Sequence, residues 1–359
     1  MAAKQNDPDV PPNFDFGPAE TLQMIKNPFP RNRFSRPKKY KLALEEKWKK
    51  KMRHKSNAVE GIPKSDVEVL SSMLSPACGT DFEVYRNYRT LNFLHELSRH
   101  THNGSTLIHC IPDVAKLVDG RQVDGNCLAL AFATLANLSL RKVGRLKIGY
   151  QKNMLSNMVE VLKLPHVMAS INAASCIRNI CLEEAFSLKF ASLEAPIHLI
   201  DLLKRTRAKD LENQIIVSYA ICNLCFFPNP KNRELFIQHD AAPLLLKLTA
   251  TSILNPKFCA ARAAAADAIA NMSIDNEFGS TMLKARGAAS IFVMATHEEQ
   301  LMTWKSAGGA LQNFNAVDDL GKSKVQSAGL AALTRMNAAD VVRAMPLLRK
   351  AVKDESKPV

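Results

Sequence analysis

Leu135-Ala136-Asn137-Leu138 is the first copy of a short pattern in which an asparagine stands close to the end of an apolar stretch. The other copies are Ile177-Arg178-Asn179-Ile180, Ile221-Cys222-Asn223-Leu224, Ile269-Ala270-Asn271-Met272 and Leu311-Gln312-Asn313-Phe314. Their asparagines lie 42, 44, 48 and 42 residues apart, which is the spacing of stacked helical repeats. The period therefore predicts an all-α solenoid.

The recurring asparagine needs a physical reason, because a buried amide without a partner is costly, whereas an exposed amide can pair with a ligand. Two interpretations are open: the asparagines line a binding groove, or they form hydrogen bonds between repeats. In either case the apolar residue two positions earlier should be buried, which applies to Leu135, Ile177, Ile221, Ile269 and Leu311.

Two further helices are predicted between successive asparagines. Pro112, Pro196 and Pro243 each lie at the start of an apolar stretch, where the missing N–H of proline costs nothing in the first turn of a helix. A shorter helix is predicted before each middle helix, at Arg141–Ile148, Glu183–Phe190, Lys231–Gln238, Glu277–Lys284 and Asp318–Val325. Phe82–Leu97 fits a degenerate first repeat with Glu96 in the place of the asparagine, since end repeats of solenoids are commonly atypical.

This three-helix unit resembles the armadillo repeat found in importin-α and β-catenin, over roughly residues 80–350. The resemblance implies a right-handed α-solenoid of about six repeats, whose third helices line a concave groove. It also implies that the groove asparagines bind the backbone of an extended segment of a partner protein, and that Glu183, Tyr219 and Asp267 are candidates for specificity. The implied ladder is Asn137, Asn179, Asn223, Asn271 and Asn313.

The chain departs from importin-α four residues before each asparagine, where that family places tryptophan in most repeats. Here the residues are Ala133, Ser175, Tyr219, Asp267 and Gly309. The stacking of indoles on basic side chains is therefore not expected, which disfavours binding of nuclear localisation signals of the importin-α type.

Charge separates the N-terminal part of the chain from the rest. The net charge is +14, and residues 31–55 carry twelve Lys or Arg against two Glu. Tyr40, Leu44, Trp48 and Met52 recur at every fourth residue, which predicts a basic amphipathic helix. Its basic-arm residues are Arg36, Lys38, Lys39, Lys41, Trp48, Lys49, Lys50 and Lys51.

The predicted organisation has five parts. They are a Pro-rich arm at 1–36, the basic amphipathic helix at 37–55, a linker at 56–66, the armadillo-repeat domain with a C-terminal cap helix at 67–353, and a tail at 354–359.

Three functions remain open. The leading hypothesis is a non-catalytic adaptor or scaffold that binds an extended partner segment in the groove and is anchored by the basic arm. The second is a structural subunit of a nucleoprotein or cytoskeletal assembly, which contacts phosphates or another acidic surface through residues 31–55. The third is a divergent importin-α-like nuclear transport adaptor whose basic arm binds importin-β.

Enzymatic activity finds no support in the sequence. No nucleotide-binding, hydrolase or metalloprotease motif is present in a suitable context, and neither His nor Cys residues show metal-ligand spacing. We therefore expect no cofactor and no metal. The eight cysteines lie mostly within apolar stretches, which indicates core thiols in the cytoplasm or nucleus. No stretch has the length and apolar character expected of a transmembrane helix or a secretory signal.

Overall fold

The computed structural model describes residues 61–76, 80–119, 123–206, 210–227, 229–249 and 259–285. It also describes Gly287, Ala288, Ile291, Ala307, Ala310, Leu311, Asn313 and Phe314. The predicted arm, basic helix, C-terminal cap helix and tail lie outside these residues, as does the helix predicted at Asp318–Val325.

The described residues form two compact units. The first extends to Gln151 and also includes His166–Ala169. Its helices are α1 (Lys64–Ser72), α2 (Asp81–Ser98), α3 (Gly104–Leu107), α4 (Ile111–Val118), α5 (Gly125–Leu138) and α6 (Lys142–Gly149). Short 3₁₀ turns at Thr101–Asn103 and Ile108–Cys110 flank α3.

The second unit comprises Lys152–Pro165 and continues from Ser170. Its helices are α7 (Met154–Leu162), most of α8 (Val167–Ile180), α9 (Glu184–Ser192), α10 (Ala195–Arg205), α11 (Leu211–Leu224), α12 (Pro230–Gln238), α13 (Ala241–Thr249), α14 (Cys259–Met272) and α15 (Asn276–Lys284). All secondary structure assigned to the described residues is helical.

The order of short, middle and long helices predicted from the sequence is present in both units. The long helices α2, α5, α8, α11 and α14, which we call the third helices, carry the asparagines or, in α2, the degenerate site. In the first unit α2 packs against α5, and in the second unit α11 packs against α14. Leu135, Ile177, Ile221, Ile269 and Leu311 are each 0% exposed, which confirms that the residue two positions before each asparagine belongs to the core.

Helix starts follow the capping signals in the sequence. Thr80 and Glu83 form a capping box at α2, with Thr80 Oγ1 accepting from Glu83 N–H at 3.2 Å and Glu83 Oε2 accepting from Thr80 N–H at 3.1 Å. Prolines occupy the first turns of α4, α10 and α12, and Asp275 caps α15. These contacts explain why the predicted starts lie within a residue or two of the observed ones.

The turns that follow α6, α9 and α12 each contain one residue with a left-handed backbone. Asn153, Glu194 and Asp240 have φ of 59°, 59° and 58° and immediately precede α7, α10 and α13. A left-handed residue reverses the chain within a single position, at an energetic cost for any residue with a Cβ. The second unit therefore repeats one strained turn three times.

A glycine permits the close approach of α6 to the end of α5. A Cβ added to Gly144 would lie 2.0 Å from the carbonyl oxygen of Leu138. Because the obstructing atom belongs to the backbone, a side chain at this position would require one helix to move.

All seven described cysteines are buried free thiols. Burial is the main cause that raises the pKa of the Cys222 thiol to about 12, and it also raises the pKa of Cys225. Cys222 and Cys225 are thus protonated core side chains, in agreement with the core thiols predicted from the sequence.

Candidate peptide-binding face

Three asparagines of the second unit donate hydrogen bonds to the third helix of the preceding repeat. Asn223 Nδ2 donates to the carbonyl oxygen of Arg178 at 2.7 Å, and Asn271 Nδ2 donates to that of Cys222 at 3.1 Å. Asn313 Nδ2 donates to the carbonyl oxygen of Ala270 at 2.6 Å. In every case the acceptor is the residue that precedes the asparagine of the previous repeat. We call this series of bonds the amide ladder.

The acceptors explain why the amide is needed at this place. Arg178, Cys222 and Ala270 lie in the last turns of α8, α11 and α14. The last four carbonyls of a helix have no N–H one turn further along the helix to pair with. The asparagine of the following repeat supplies a donor to this carbonyl in each case, and the Cys222 carbonyl also accepts from the N–H of Cys225 at 3.1 Å.

The degenerate first repeat receives the same kind of bond through an intermediate hydroxyl. Asn137 Nδ2 donates to Ser98 Oγ at 2.9 Å, and the Ser98 hydroxyl donates to the carbonyl oxygen of His95 at 2.7 Å. His95 precedes Glu96, just as Arg178 precedes Asn179. Helix α2 therefore has a glutamate in place of the asparagine but keeps the corresponding backbone acceptor, which is the carbonyl of His95.

The ladder does not use the whole capacity of each amide. A carboxamide has two N–H groups and an oxygen acceptor, and Asn223 and Asn271 are half-buried. Their Oδ1 atoms have no partner among the described residues. The bond between repeats therefore fixes the orientation of each amide and leaves its oxygen able to accept from a ligand N–H.

Tyr219 and Asp267 lie on α11 and α14, four residues before Asn223 and Asn271, and both side chains are partly exposed. Burial raises the pKa of the Tyr219 phenol, and the nearby Asp267 carboxylate raises it further. Tyr219 is therefore a protonated hydrogen-bond donor beside a carboxylate. The structure brings these two predicted specificity residues together.

Arg178 is a residue of this face that the sequence analysis missed. Its Nε donates to Asn179 Oδ1 at 3.1 Å, and burial lowers the pKa of its guanidinium, which also interacts with Tyr219. The sequence contains one signal for Arg178, which is the charged residue among those that directly precede the repeat asparagines. The other copies have Ala136, Cys222, Ala270 and Gln312 at this position. Three successive third helices thus carry different groups: the cation of Arg178 on α8, the phenol of Tyr219 on α11 and the carboxylate of Asp267 on α14.

The remaining predicted residues fall in three places. Glu183 lies half-buried immediately before α9 and makes no capping bond through its side chain. Asn137 belongs to the first unit, and Asn179 is almost fully buried. The basic-arm residues lie outside the described part of the chain.

Large apolar side chains are exposed three residues after Asn179, Asn223 and Asn271. Leu182, Phe226 and Ile274 are 47%, 61% and 55% exposed, and we call them the apolar row. The N–H of Leu182 donates to the carbonyl of Asn179 at 3.3 Å, and the N–H of Phe226 donates to that of Asn223 at 3.3 Å. The row therefore recurs with the same period as the asparagines of α8, α11 and α14. The repeat period would have revealed it, had exposed positions been aligned as well as buried ones.

The described residues contain neither a metal centre nor a membrane-spanning helix. No group of His, Cys, Asp or Glu in this part of the chain is arranged to hold a metal ion. None of the helices described above combines the length and the apolar character needed to cross a membrane.

Stacked three-helix repeats with an amide ladder define the class as an armadillo-type α-solenoid, and comparison with solved structures agrees. A designed armadillo repeat protein in complex with the peptide (KR)4 superposes with a TM-score of 0.54 at 20% identity, covering 67% of this chain and 99% of that one. Computationally designed armadillo repeat proteins for modular peptide recognition give 0.54 at 21% identity, covering 70% and 99%. An engineered protein gives 0.59 at 19% identity, covering 72% and 97%.

At these low sequence identities, the similarity concerns the fold alone. The chain matches no protein-family model, and no curated protein sequence is similar to it.

Proposed function

We propose that this protein is a non-catalytic scaffold that binds an extended segment of a partner protein along the ladder side of its third helices. The observation that carries the proposal is the set of amides held in one orientation by the ladder, with the oxygens of Asn223 and Asn271 left without a partner among the described residues. A side-chain amide oxygen that recurs in two successive repeats, at Asn223 and Asn271, can accept from peptide N–H groups irrespective of their side chains.

Two further points support a peptide as the ligand. Two of the similar structures are described by their peptide complex or their design for peptide recognition. Tyr219, Arg178 and Asp267 add different chemistry from one third helix to the next, which suits the discrimination of side chains.

Seven buried thiols fit a reducing compartment such as the cytoplasm or nucleus.

A random-peptide display library selected on the full-length protein tests this function. We expect wild type to enrich a defined set of peptides and the Asn223→Ala/Asn271→Ala variant to bind them at least tenfold more weakly, since each change removes about one hydrogen bond to the ligand. Asn213→Ala is the matched control because Asn213 is a partly exposed asparagine on α11 that makes no ladder bond. Equal binding by all three proteins would exclude the ladder as the peptide site.

The basic arm provides the anchoring part of the proposal. Residues 31–55 concentrate twelve cations, which suits an acidic protein surface or nucleic acid. A pull-down with the full chain and with a variant carrying Lys49→Gln, Lys50→Gln and Lys51→Gln identifies partners that depend on this charge. Partners retained by the variant but lost on changing the ladder would belong to the third-helix face.

A further inference from the structure

The apolar row is a regular feature of the second unit. Leu182, Phe226 and Ile274 occupy the same position in three successive repeats, each about half exposed. Isolated exposed apolar residues are ordinary, but exposure at the same position of three successive repeats is a regular pattern that calls for a function. The position of this series beside the ladder places it within reach of a segment that contacts the ladder amides.

The residues next to the row are mainly acidic. Within the five positions that follow the three row residues, Glu183, Glu184, Asp275 and Glu277 occur against the single cation Lys231. Glu184 and Glu277 are exposed. Asp275 uses one carboxylate oxygen to cap α15. The row thus combines apolar contact area with an excess of carboxylates.

The first unit provides an internal contrast. Leu140 is 60% exposed and follows Asn137 at the same distance as the row residues follow their asparagines. The residues after it include Arg141, Lys142 and Arg145. The same apolar position therefore has the opposite charge around it, and a cationic ligand would be attracted to the second unit and repelled by the first.

We propose that the apolar row binds large apolar side chains of the same partner segment that contacts the ladder, and that this segment interleaves them with Lys or Arg. The inference rests on the proposed function and specifies its ligand class. The apolar side chains cover Leu182, Phe226 and Ile274, while the cations pair with Glu184 and Glu277. A purely basic segment such as (KR)4 would leave the row uncovered.

The test compares peptides selected on full-length wild type with their binding to row variants. Phe226→Ser and Ile274→Ser change exposed side chains, so the fold should be retained, and Leu188→Ser is the matched control because Leu188 is 50% exposed on α9 outside the row. We expect wild type to select peptides that interleave apolar and basic residues. Each row change should weaken them about tenfold, and Leu188→Ser should not.

The possible outcomes separate this inference from the function on which it rests. Selection of purely basic peptides, or equal binding by wild type and row variants, would overturn the inference while the ladder variant still loses binding. Equal binding by wild type and the Asn223→Ala/Asn271→Ala variant would instead overturn the proposed function. If Leu44→Ser/Trp48→Ser in the full chain strengthens peptide binding tenfold, the row is covered by the chain's own basic helix, and the assignment to a partner is wrong.

Discussion

Asn223 and Ile221 lie two residues apart on α11 but make different contributions to stability. Ile221 is fully buried, so Ile221→Ala should lower the free energy of unfolding by about 2 to 5 kcal/mol. Asn223→Ala removes one hydrogen bond to the Arg178 carbonyl and should cost about 1 kcal/mol. Urea unfolding of both variants measures the difference. Equal costs would mean that the amide is chiefly structural and would argue against its role in binding.

Gly144→Ala should lower the stability of the fold much more than the addition of one methyl group usually does. The added Cβ would meet the carbonyl of Leu138 at 2.0 Å, so α6 would have to move away from α5, at a cost of at least about 2 kcal/mol. Gly61→Ala is the control, since its Cβ would have no neighbour nearer than 3.6 Å. Thermal unfolding should separate the two variants, and similar melting temperatures would contradict the close approach.

The sequence predicts some residues of the site and misses others for a physical reason. The apolar residue before each asparagine is predictable, because burial selects its chemistry. The acceptors of the ladder are backbone carbonyls, which any residue possesses, so Arg178, Cys222 and Ala270 carry no common sequence signal. The alternative of hydrogen bonds between repeats, left open by the sequence, is the arrangement observed.

Glu194 offers a test of the strained turn at the level of the secondary-structure element. Its φ is 59°, a conformation that costs an L-residue about 1 to 2 kcal/mol and that glycine adopts freely. Glu194→Gly should therefore raise the free energy of unfolding by about 1 kcal/mol, as measured in urea. Glu184→Gly, at an exposed position in the first turn of α9, should lower it instead. A loss of stability in both variants would show that the turn is not strained.

His166 makes the start of α8 sensitive to pH. Its Nδ1 accepts from the N–H of Ala169 at 3.2 Å, and its Nε2 lies 3.3 Å from Asn126 Oδ1. Burial lowers the pKa of His166, so the folded state favours the neutral ring. The contribution of this ring to stability is complete above the unfolded pKa of about 6.5 and is lost as pH falls through the folded pKa.

His166→Asn keeps an acceptor at the helix start but cannot titrate. Wild type should therefore lose more stability than this variant between pH 7.5 and pH 5, as measured by urea unfolding at each pH. His95, whose pKa burial lowers to about 4, is present in both proteins and cancels in the difference. Parallel pH profiles would contradict the role of the neutral imidazole.

Elements were more predictable than the turns between them. The prolines at α4 and α10 and the cap at Asp275 place helix starts through local chemistry, which a sequence displays directly. The left-handed turns at Asn153, Glu194 and Asp240 share no residue type. Asn and Asp adopt this conformation more readily than most residues, but both also occur at helix caps and in other turns, so the residue type alone does not predict it.

At the scale of the whole molecule, charge distinguishes the arm from the ladder. If residues 31–55 contact nucleic acid, the affinity for single-stranded RNA should fall steeply with salt concentration. Lys49→Gln, Lys50→Gln and Lys51→Gln together should reduce the slope of log K against log salt by about 2. Filter binding over a salt series measures this slope. An unchanged slope would show that these lysines do not contact phosphates.

The amide ladder has a direction along the chain. In the second unit each donor belongs to a later repeat and each acceptor to an earlier one, from Asn313 to Ala270, from Asn271 to Cys222 and from Asn223 to Arg178. During synthesis the N-terminal repeats leave the ribosome first, so every asparagine emerges after its acceptor helix. Each newly made repeat can close its bond on a neighbour already in place, without waiting for the rest of the protein to be translated.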